Sequence, residues 1–137
     1  MTVGLVIVSH SARLAEGVVE VASEMAHGAA RIIAAGGAEA GGLGTSLERV
    51  AHAIEEAESG DGVLVLADLG SAILTAEMAS EQVPVQQRGR VVIGNAPLVE
   101  GAIVAAIESS INGTLADVVR AAESAASMQK VAKRSNT

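Results

Sequence analysis

The sequence predicts an α/β domain: a three-layer sandwich with a central, mostly parallel sheet of four to five strands flanked by helices. Two observations carry that reading. Short aliphatic runs alternate along the chain with segments of helical period, and the runs have no polar alternation, as expected for strands buried on both faces. The connections between them are short, yet long enough to be helical crossovers between parallel strands.

The first strand is Val3 to Val8, an unbroken run that meets Ser9-His10-Ser11. A helix follows from about Ala12, with Leu14, Val18, Val21, Ala22 and Met25 at helical spacing and Glu16, Glu20 and Glu24 on other faces. It ends near His27-Gly28, where glycine supplies the C-terminal cap. Residues 30–35 read as a second, shorter strand, followed by a glycine-dense loop from Gly36 to Ser46. Thr45 or Ser46 caps the next helix, which runs to about Ser59 with Leu47, Val50, Ala51 and Ile54 inward.

Gly60-Asp61-Gly62 turns the chain into a third strand, residues 63–67, which stops at Asp68-Leu69-Gly70-Ser71. A helical pattern from Ala72 to Gln82 is broken by Pro84. Residues 90–94 form a fourth strand, followed by Asn95-Ala96-Pro97 and a helix from Leu98 to Ser110, with Pro97 as its first residue. Asn112-Gly113 turns the chain, and Thr114 caps a last helix to about Ser127. Residues 1–127 are read as one domain and residues 128–137 as a frayed basic tail.

Composition excludes several functions. Half of the 137 residues are hydrophobic, but Phe, Tyr and Trp are absent, so the core is aliphatic and offers no stacking platform for nucleic acid. A formal charge of -7 also argues against binding a phosphate backbone. Without cysteine, thiolate catalysis and Cys-ligated zinc are ruled out. Three scattered histidines form no metal-ligand pattern. No run approaches the length of a membrane span and no signal peptide is apparent, so a cytoplasmic location without membrane insertion is expected.

The chemistry gathers at strand ends. Parallel strands place Ser9-His10-Ser11, Asp68-Leu69-Gly70-Ser71 and Asn95 on one side of the sheet, where ligands of such folds bind. If the first and third strands are neighbours, Asp68 accepts the Nδ1–H of His10 and leaves the Nε2 lone pair outward, an oriented nucleophile. The competing reading is a loop histidine without chemistry and an aspartate that only makes a turn. Gly70, Ser71 and Ala72 open a helix whose free N–H groups and positive dipole end face the same crevice. The loop before Thr45 presents further amides and the Thr45 hydroxyl. Together these features suggest that the transferred group is a phosphoryl. No Walker lysine motif is present to hold ATP. His27 and His52 lack partners and read as surface or helix-end residues, and Met25 and Met78 as core filler.

These motifs resemble those of the phosphotransferase subunits of the dihydroxyacetone kinases that draw phosphate from the bacterial phosphotransferase system, which are related to the mannose-family enzyme IIA domains. The resemblance covers residues 3–127. It rests on residues 5–11 with Arg13-Leu14-Ala15-Glu16-Gly17, on Gly44-Thr45, on residues 63–66 leading to Asp68-Leu69-Gly70-Ser71-Ala72, and on residues 96–102.

The family implies that His10 is the phosphorylated nucleophile; on the reading of the residues, Asp68 orients it, with Ser9, Ser11, Thr45, Gly70, Ser71 and Ala72 about the phosphoryl. It implies the histidine phosphocarrier protein as donor and, as acceptor, ADP with magnesium on a partner kinase subunit; this chain itself would bind no cofactor. Homodimers are the rule in the family, and the excess of aliphatic residues points the same way, with residues 83–93 as the expected interface. Some members carry phosphocarrier domains downstream; a chain of 137 residues is expected to use a separate donor. The alternative is a sugar-transport enzyme IIA passing phosphoryl to an enzyme IIB, but those proteins read Thr-His-Gly and Gly-Gly-Ser-Pro where this chain has Ser9-His10-Ser11 and Gly70-Ser71-Ala72. A non-catalytic phosphate-binding regulator on the same scaffold is a third reading.

Overall fold

The computed structural model describes residues 2–132, so Met1 and the last five residues of the expected tail lie outside the described residues. Four strands form one sheet in the order β2-β1-β3-β4: β1 Gly4–Ser9, β2 Ile32–Gly36, β3 Val63–Ala67 and β4 Val91–Ile93. All three pairings are parallel. Every residue of the two central strands β1 and β3 is buried, which is why their sequences are aliphatic without alternation.

Alternate side chains of those strands feed two cores. Val6, Val8, Val63 and Val65 pack with Val50 and Ile54 of helix α2 (Leu47–Ala57) and with Ala72 and Ala76 of helix α3 (Gly70–Ser80). On the opposite face, Leu5, Ile7, Leu64 and Leu66 meet Val18 and Ala22 of α1 (Ala12–Met25), Ala102 and Ala106 of α5 (Leu98–Ser110), and Val118 of α6 (Leu115–Ser124). The repeated alanines let helices approach the sheet closely without aromatic filler. Gly36 does the same at β2's end: a Cβ there would stand 2.6 Å from the Ser11 carbonyl oxygen and 2.9 Å from the Ala12 Cα. Its absence lets the start of α1 settle against the sheet.

Local signals set the helix ends. Ser11 and Ser46 cap α1 and α2 through their hydroxyls, and Thr114 with Asp117 forms a reciprocal capping box for α6. The end of α1 departs from the expected glycine cap. His27 itself takes the left-handed position (φ 54°), with its N–H on Glu24 and that of Gly28 on the Ser23 carbonyl. This is a Schellman closure with a histidine at its turning residue.

Other differences are modest. The second strand begins two residues late, and α3 starts at Gly70 rather than Ala72. Pro97 stands just before α5 rather than inside it. Val83 is fully buried, and the segment after Pro84 contains a four-residue helix, α4 (Val85–Arg88), that the sequence reading did not anticipate. Met25 and Met78 are not core filler: they are 50% and 56% exposed, because alanines occupy the sheet-facing positions beside them. After a 3-10 turn over Ala125–Ser127, Lys130 pairs with Glu100 at the start of α5.

Candidate functional site

The strand order decides where the site is. From β1 the chain crosses to β2 on one side, and β3 then returns on the other, so a crevice opens beyond the carboxyl ends of β1 and β3. Val8 stands opposite Ala67 in the register, and the Asp68 amide donates to the Val8 carbonyl at 3.2 Å. Ser9-His10 and Asp68 therefore leave the sheet side by side.

Asp68 is a hub of accepted hydrogen bonds. Its Oδ1 lies 2.9 Å from Nδ1 of His10 and accepts the Leu69 amide at 2.7 Å. Its Oδ2 accepts the Ser9 hydroxyl at 2.8 Å and the His10 amide at 3.1 Å. Burial by itself raises the affinity of this carboxyl for a proton. The His10 amide, the Ser9 hydroxyl, the His10 ring and the Leu69 amide together outweigh burial and hold it below the usual carboxylate range. An ionised Asp68 only accepts, so the hydrogen of the neutral His10 ring sits on Nδ1 and the lone pair on Nε2.

That lone pair faces outward. The His10 side chain is 27% exposed against 13% for Asp68, and Nε2 meets the Ser71 hydroxyl at 2.5 Å. With no hydrogen on Nε2, the hydroxyl is the donor. Ser71 stands in the first turn of α3, which has no side-chain cap. The amides of Gly70 and Ser71 thus lead the helix ahead of its backbone ladder.

Across the crevice, the glycine-dense loop is fastened to the backbone of Ser9 and His10. The Gly44 amide donates to the His10 carbonyl at 2.8 Å, and the Gly37 amide to the Ser9 carbonyl at 3.1 Å. Thr45 meets the Thr75 hydroxyl at 2.8 Å, and Thr75 donates to the Ser71 carbonyl at 3.1 Å. Beside the loop, Ser11, Ala12, Arg13, Gly42 and Leu43 line a hollow of about 250 Å³. Two leucines bracket the site in solvent: Leu43, 81% exposed, and Leu69, 63% exposed.

The expected residues sort into three groups. His10, Asp68 and Ser71 are joined directly, with the Gly70 amide close by in the chain. Ser9 is fully buried, its hydroxyl held between Asp68 and the Ser11 amide, so it braces the carboxylate. Ser11 caps α1 by accepting the Leu14 amide at 3.2 Å. Ala72 is fully buried and its amide donates to the Leu69 carbonyl at 2.9 Å, which leaves Gly70 and Ser71 as the leading donors. Thr45 touches Thr75 and is connected to His10 only through neighbours.

Asn95, at the end of the edge strand β4, donates its amide to Glu123 instead of joining His10. His27 lies at the far end of α1 from His10, and His52 stands exposed on α2. Thr75 was missed by sequence reasoning. Its signal was present: it follows Ser71 by four residues, one turn along the same helix face.

Residues 4–119 match the family described as PTS system fructose IIA component. The chain is 38% identical over 110 residues to the phosphoryl donor subunit DhaM of PEP-dependent dihydroxyacetone kinase 2 from Listeria innocua, covering 80% of this chain and 88% of that protein. It is 43% identical over 105 residues to the phosphotransferase subunit DhaM of the PTS-dependent dihydroxyacetone kinase of Lactococcus lactis, covering 77% and 80%. Against the Escherichia coli phosphoryl donor subunit DhaM it is 39% identical over 120 residues, 85% of this chain but only 25% of that longer protein. The crystal structure of the unknown function protein EF1359 superposes with a TM-score of 0.81 at 31% identity, over 98% of this chain and all of that one. A sigma-54 interaction domain protein from Enterococcus faecalis shares the fold at 17% identity, with a TM-score of 0.64 over 87% of this chain and 86% of that one. An oriented histidine at the switch point, the match over residues 4–119 and these alignments lead to one conclusion: the chain belongs to the phosphotransferase-system enzyme IIA family of the mannose type, whose members include the DhaM phosphoryl-donor subunits.

Proposed function

We propose that this protein relays a phosphoryl group from the histidine phosphocarrier protein, through His10, to ADP held on a partner subunit of dihydroxyacetone kinase. The observation that carries the reading is the asymmetry of the His10 ring: Nδ1 is fixed on Asp68, and Nε2 is presented at the surface beneath a single hydroxyl. The names of the aligned Listeria and Lactococcus proteins, a phosphoryl donor subunit and a phosphotransferase subunit of dihydroxyacetone kinases, support a relay within such a kinase.

In the first half-reaction the Nε2 lone pair attacks phosphorus. The donor's N–P bond breaks and its electron pair returns to the donor ring. Nδ1–H stays directed at Asp68, whose charge stabilises the cationic ring that develops. The Ser71 hydroxyl leaves Nε2 as phosphorus arrives and, with the Gly70 and Ser71 amides, donates to the phosphoryl oxygens. In the second half-reaction a β-phosphate oxygen of ADP attacks, the His10 N–P bond breaks, and its pair returns to Nε2. ATP forms without a net proton. The nucleotide and its magnesium belong to the partner in this reading, and the magnesium offsets phosphate charge that an acidic chain cannot. A homodimer belongs to it as well, with Leu74, Met78 and Val85 as exposed aliphatic residues for a second copy to cover; sedimentation at micromolar concentration measures it.

The test is transfer itself. Phosphorylated phosphocarrier protein is expected to leave an acid-labile, base-stable phosphate on this chain, discharged to ATP only when ADP, magnesium and the ADP-binding kinase subunit are all present. Discharge to free ADP, or to a sugar-specific enzyme IIB, overturns the acceptor assignment. No labelling at all overturns the carrier role.

A further inference from the structure

Four contacts around His10 close into a ring. Starting at Nε2, the path runs to the Ser71 hydroxyl (2.5 Å), along Ser71 to its carbonyl, and to the Thr75 hydroxyl (3.1 Å). It continues to the Thr45 hydroxyl (2.8 Å), back one residue to the Gly44 amide, and from there to the His10 carbonyl (2.8 Å). The ring joins the end of β1, the glycine-dense loop and the first turn of α3. Thr75 is its one member bonded to both the loop and the helix.

Counting hydrogens fixes the direction of each bond. A carbonyl only accepts, so the single hydroxyl hydrogen of Thr75 goes to Ser71. Thr45 must then donate to Thr75, and its hydrogen is not available to an arriving phosphoryl group. The direct part expected of Thr45 from sequence thus passes to an indirect one. Its hydroxyl anchors Thr75, and Thr75 anchors the backbone of Ser71. A threonine hydroxyl bonded to the carbonyl four residues earlier also biases the local helix bend. Here that carbonyl belongs to the residue whose side chain covers the nucleophile.

We propose that Thr75 is a positioning residue for phosphoryl transfer: bridging Thr45 and the Ser71 carbonyl, it sets where the Ser71 hydroxyl stands relative to Nε2 of His10. The inference rests on the carrier role given above for His10. It also gives the glycine-dense loop a task, since the loop supplies the Thr45 end of the bridge and grips the His10 carbonyl at Gly44. Loss of the bridge lets the first turn of α3 shift against the ring, and displacements of that kind lower rates more than they weaken binding.

The experiment compares Thr75→Val, which keeps shape but removes both hydroxyl bonds, with Thr75→Ser, which keeps the hydroxyl. Two quantities are read: the kinetics of phosphorylation by the phosphorylated phosphocarrier protein, and the ¹⁵N shift of His10 Nε2 in the unphosphorylated protein. Thr75→Val is expected to lower kcat on the order of tenfold with KM for the donor nearly unchanged, and to move the Nε2 resonance as the Ser71 bond is lost. Thr75→Ser is expected to restore both. A Thr75→Val protein with wild-type kcat or an unmoved Nε2 resonance overturns the proposal, as does an equal loss in Thr75→Ser. If the wild-type protein accepts no phosphoryl group, the carrier reading fails instead. The Nε2 shifts of the two variants still decide whether Thr75 positions Ser71.

Discussion

At Nδ1 the His10 ring meets a carboxylate gripped by donors from the ends of two buried strands; at Nε2 it meets one hydroxyl on the uncapped first turn of a helix. Asp68 is 13% exposed, and its four accepted bonds come from Ser9, His10 and Leu69, none of which moves in the proposed transfer. Ser71 is exposed, and in the proposed relay its hydroxyl leaves Nε2 before phosphorus bonds there. On the proposed relay, one side of the ring stays and the other exchanges partners. Substitutions on the two sides should differ in kind: on the strand side they disturb ring orientation and stability together, whereas on the helix side they alter rate with little change in stability.

The ring itself comes first. His10→Gln is expected to abolish phosphate acceptance, because an amide nitrogen has no lone pair to offer. The backbone bonds of residue 10 to Asp68 and Gly44 persist, so circular dichroism and the urea midpoint should change little. Peptide mapping of the labelled wild-type protein should place all phosphate at His10; label on His27 or His52 would remove the comparison altogether.

On the strand side, Asp68→Ala keeps the nucleophilic atom but loses its orientation and the charge that stabilises the cationic ring. Transfer is expected to slow on the order of 100-fold or more. Stability should fall as well, by roughly 1–3 kcal/mol, since the fully buried Ser9 hydroxyl loses its acceptor. Single-turnover phosphorylation and urea unfolding measure the two effects. Unchanged transfer at saturating donor would make Asp68 structural only.

On the helix side, Ser71→Ala removes the donor proposed for the phosphoryl group but also removes a bond that a nucleophilic His10 would have to break. These effects oppose, so the expected loss is roughly tenfold, below the ~100-fold or more typical of a preorganised donor. The urea midpoint should stay near wild type because Ser71 is exposed. A stability loss matching that of Asp68→Ala would erase the distinction between the two sides.

The strand side was legible in the sequence and the helix side only in part, for a physical reason. Val3 to Val8 and residues 63–67 announce buried parallel strands by unbroken aliphatic character, and a polar residue closing such a run has few places to go but the crevice at its end. The juxtaposition of His10 and Asp68 follows from that once the strands are neighbours. The hydroxyls do not. Whether Ser9 faces the carboxylate or the phosphoryl depends on pleat and rotamer, and Thr45 reaches Thr75 through a loop of glycines whose path no periodicity encodes. Thr75 sits within an ordinary helical pattern, and only a tertiary contact singles it out. Met25 and Met78 failed for a related reason: with alanine at the sheet-facing positions, the larger side chains at helical spacing were left outside.

The smallest expected effect is on pH dependence, and it sharpens the contrast because Ser71 does not titrate. The four donors hold the Asp68 carboxyl below its ordinary range, so the native state binds its proton more weakly than the unfolded chain does. A group depressed in this way adds stability that is complete above its unfolded value, about 4 for an aspartate, and is lost as pH falls through the lower native value. The contribution should therefore be flat from pH 7 to about 5 and fade only in more acidic solution. Asp68→Asn keeps the shape but cannot ionise, so it should unfold at lower urea than wild type at pH 7. The gap should be on the order of 1 kcal/mol and should narrow as pH falls below about 4. Ser71→Ala should show no such convergence, its midpoint following wild type at every pH. A gap for Asp68→Asn that stays constant down to pH 3 would mean that shape rather than charge holds the strand side together, and the ionised acceptor assigned to Nδ1 would have to be given up.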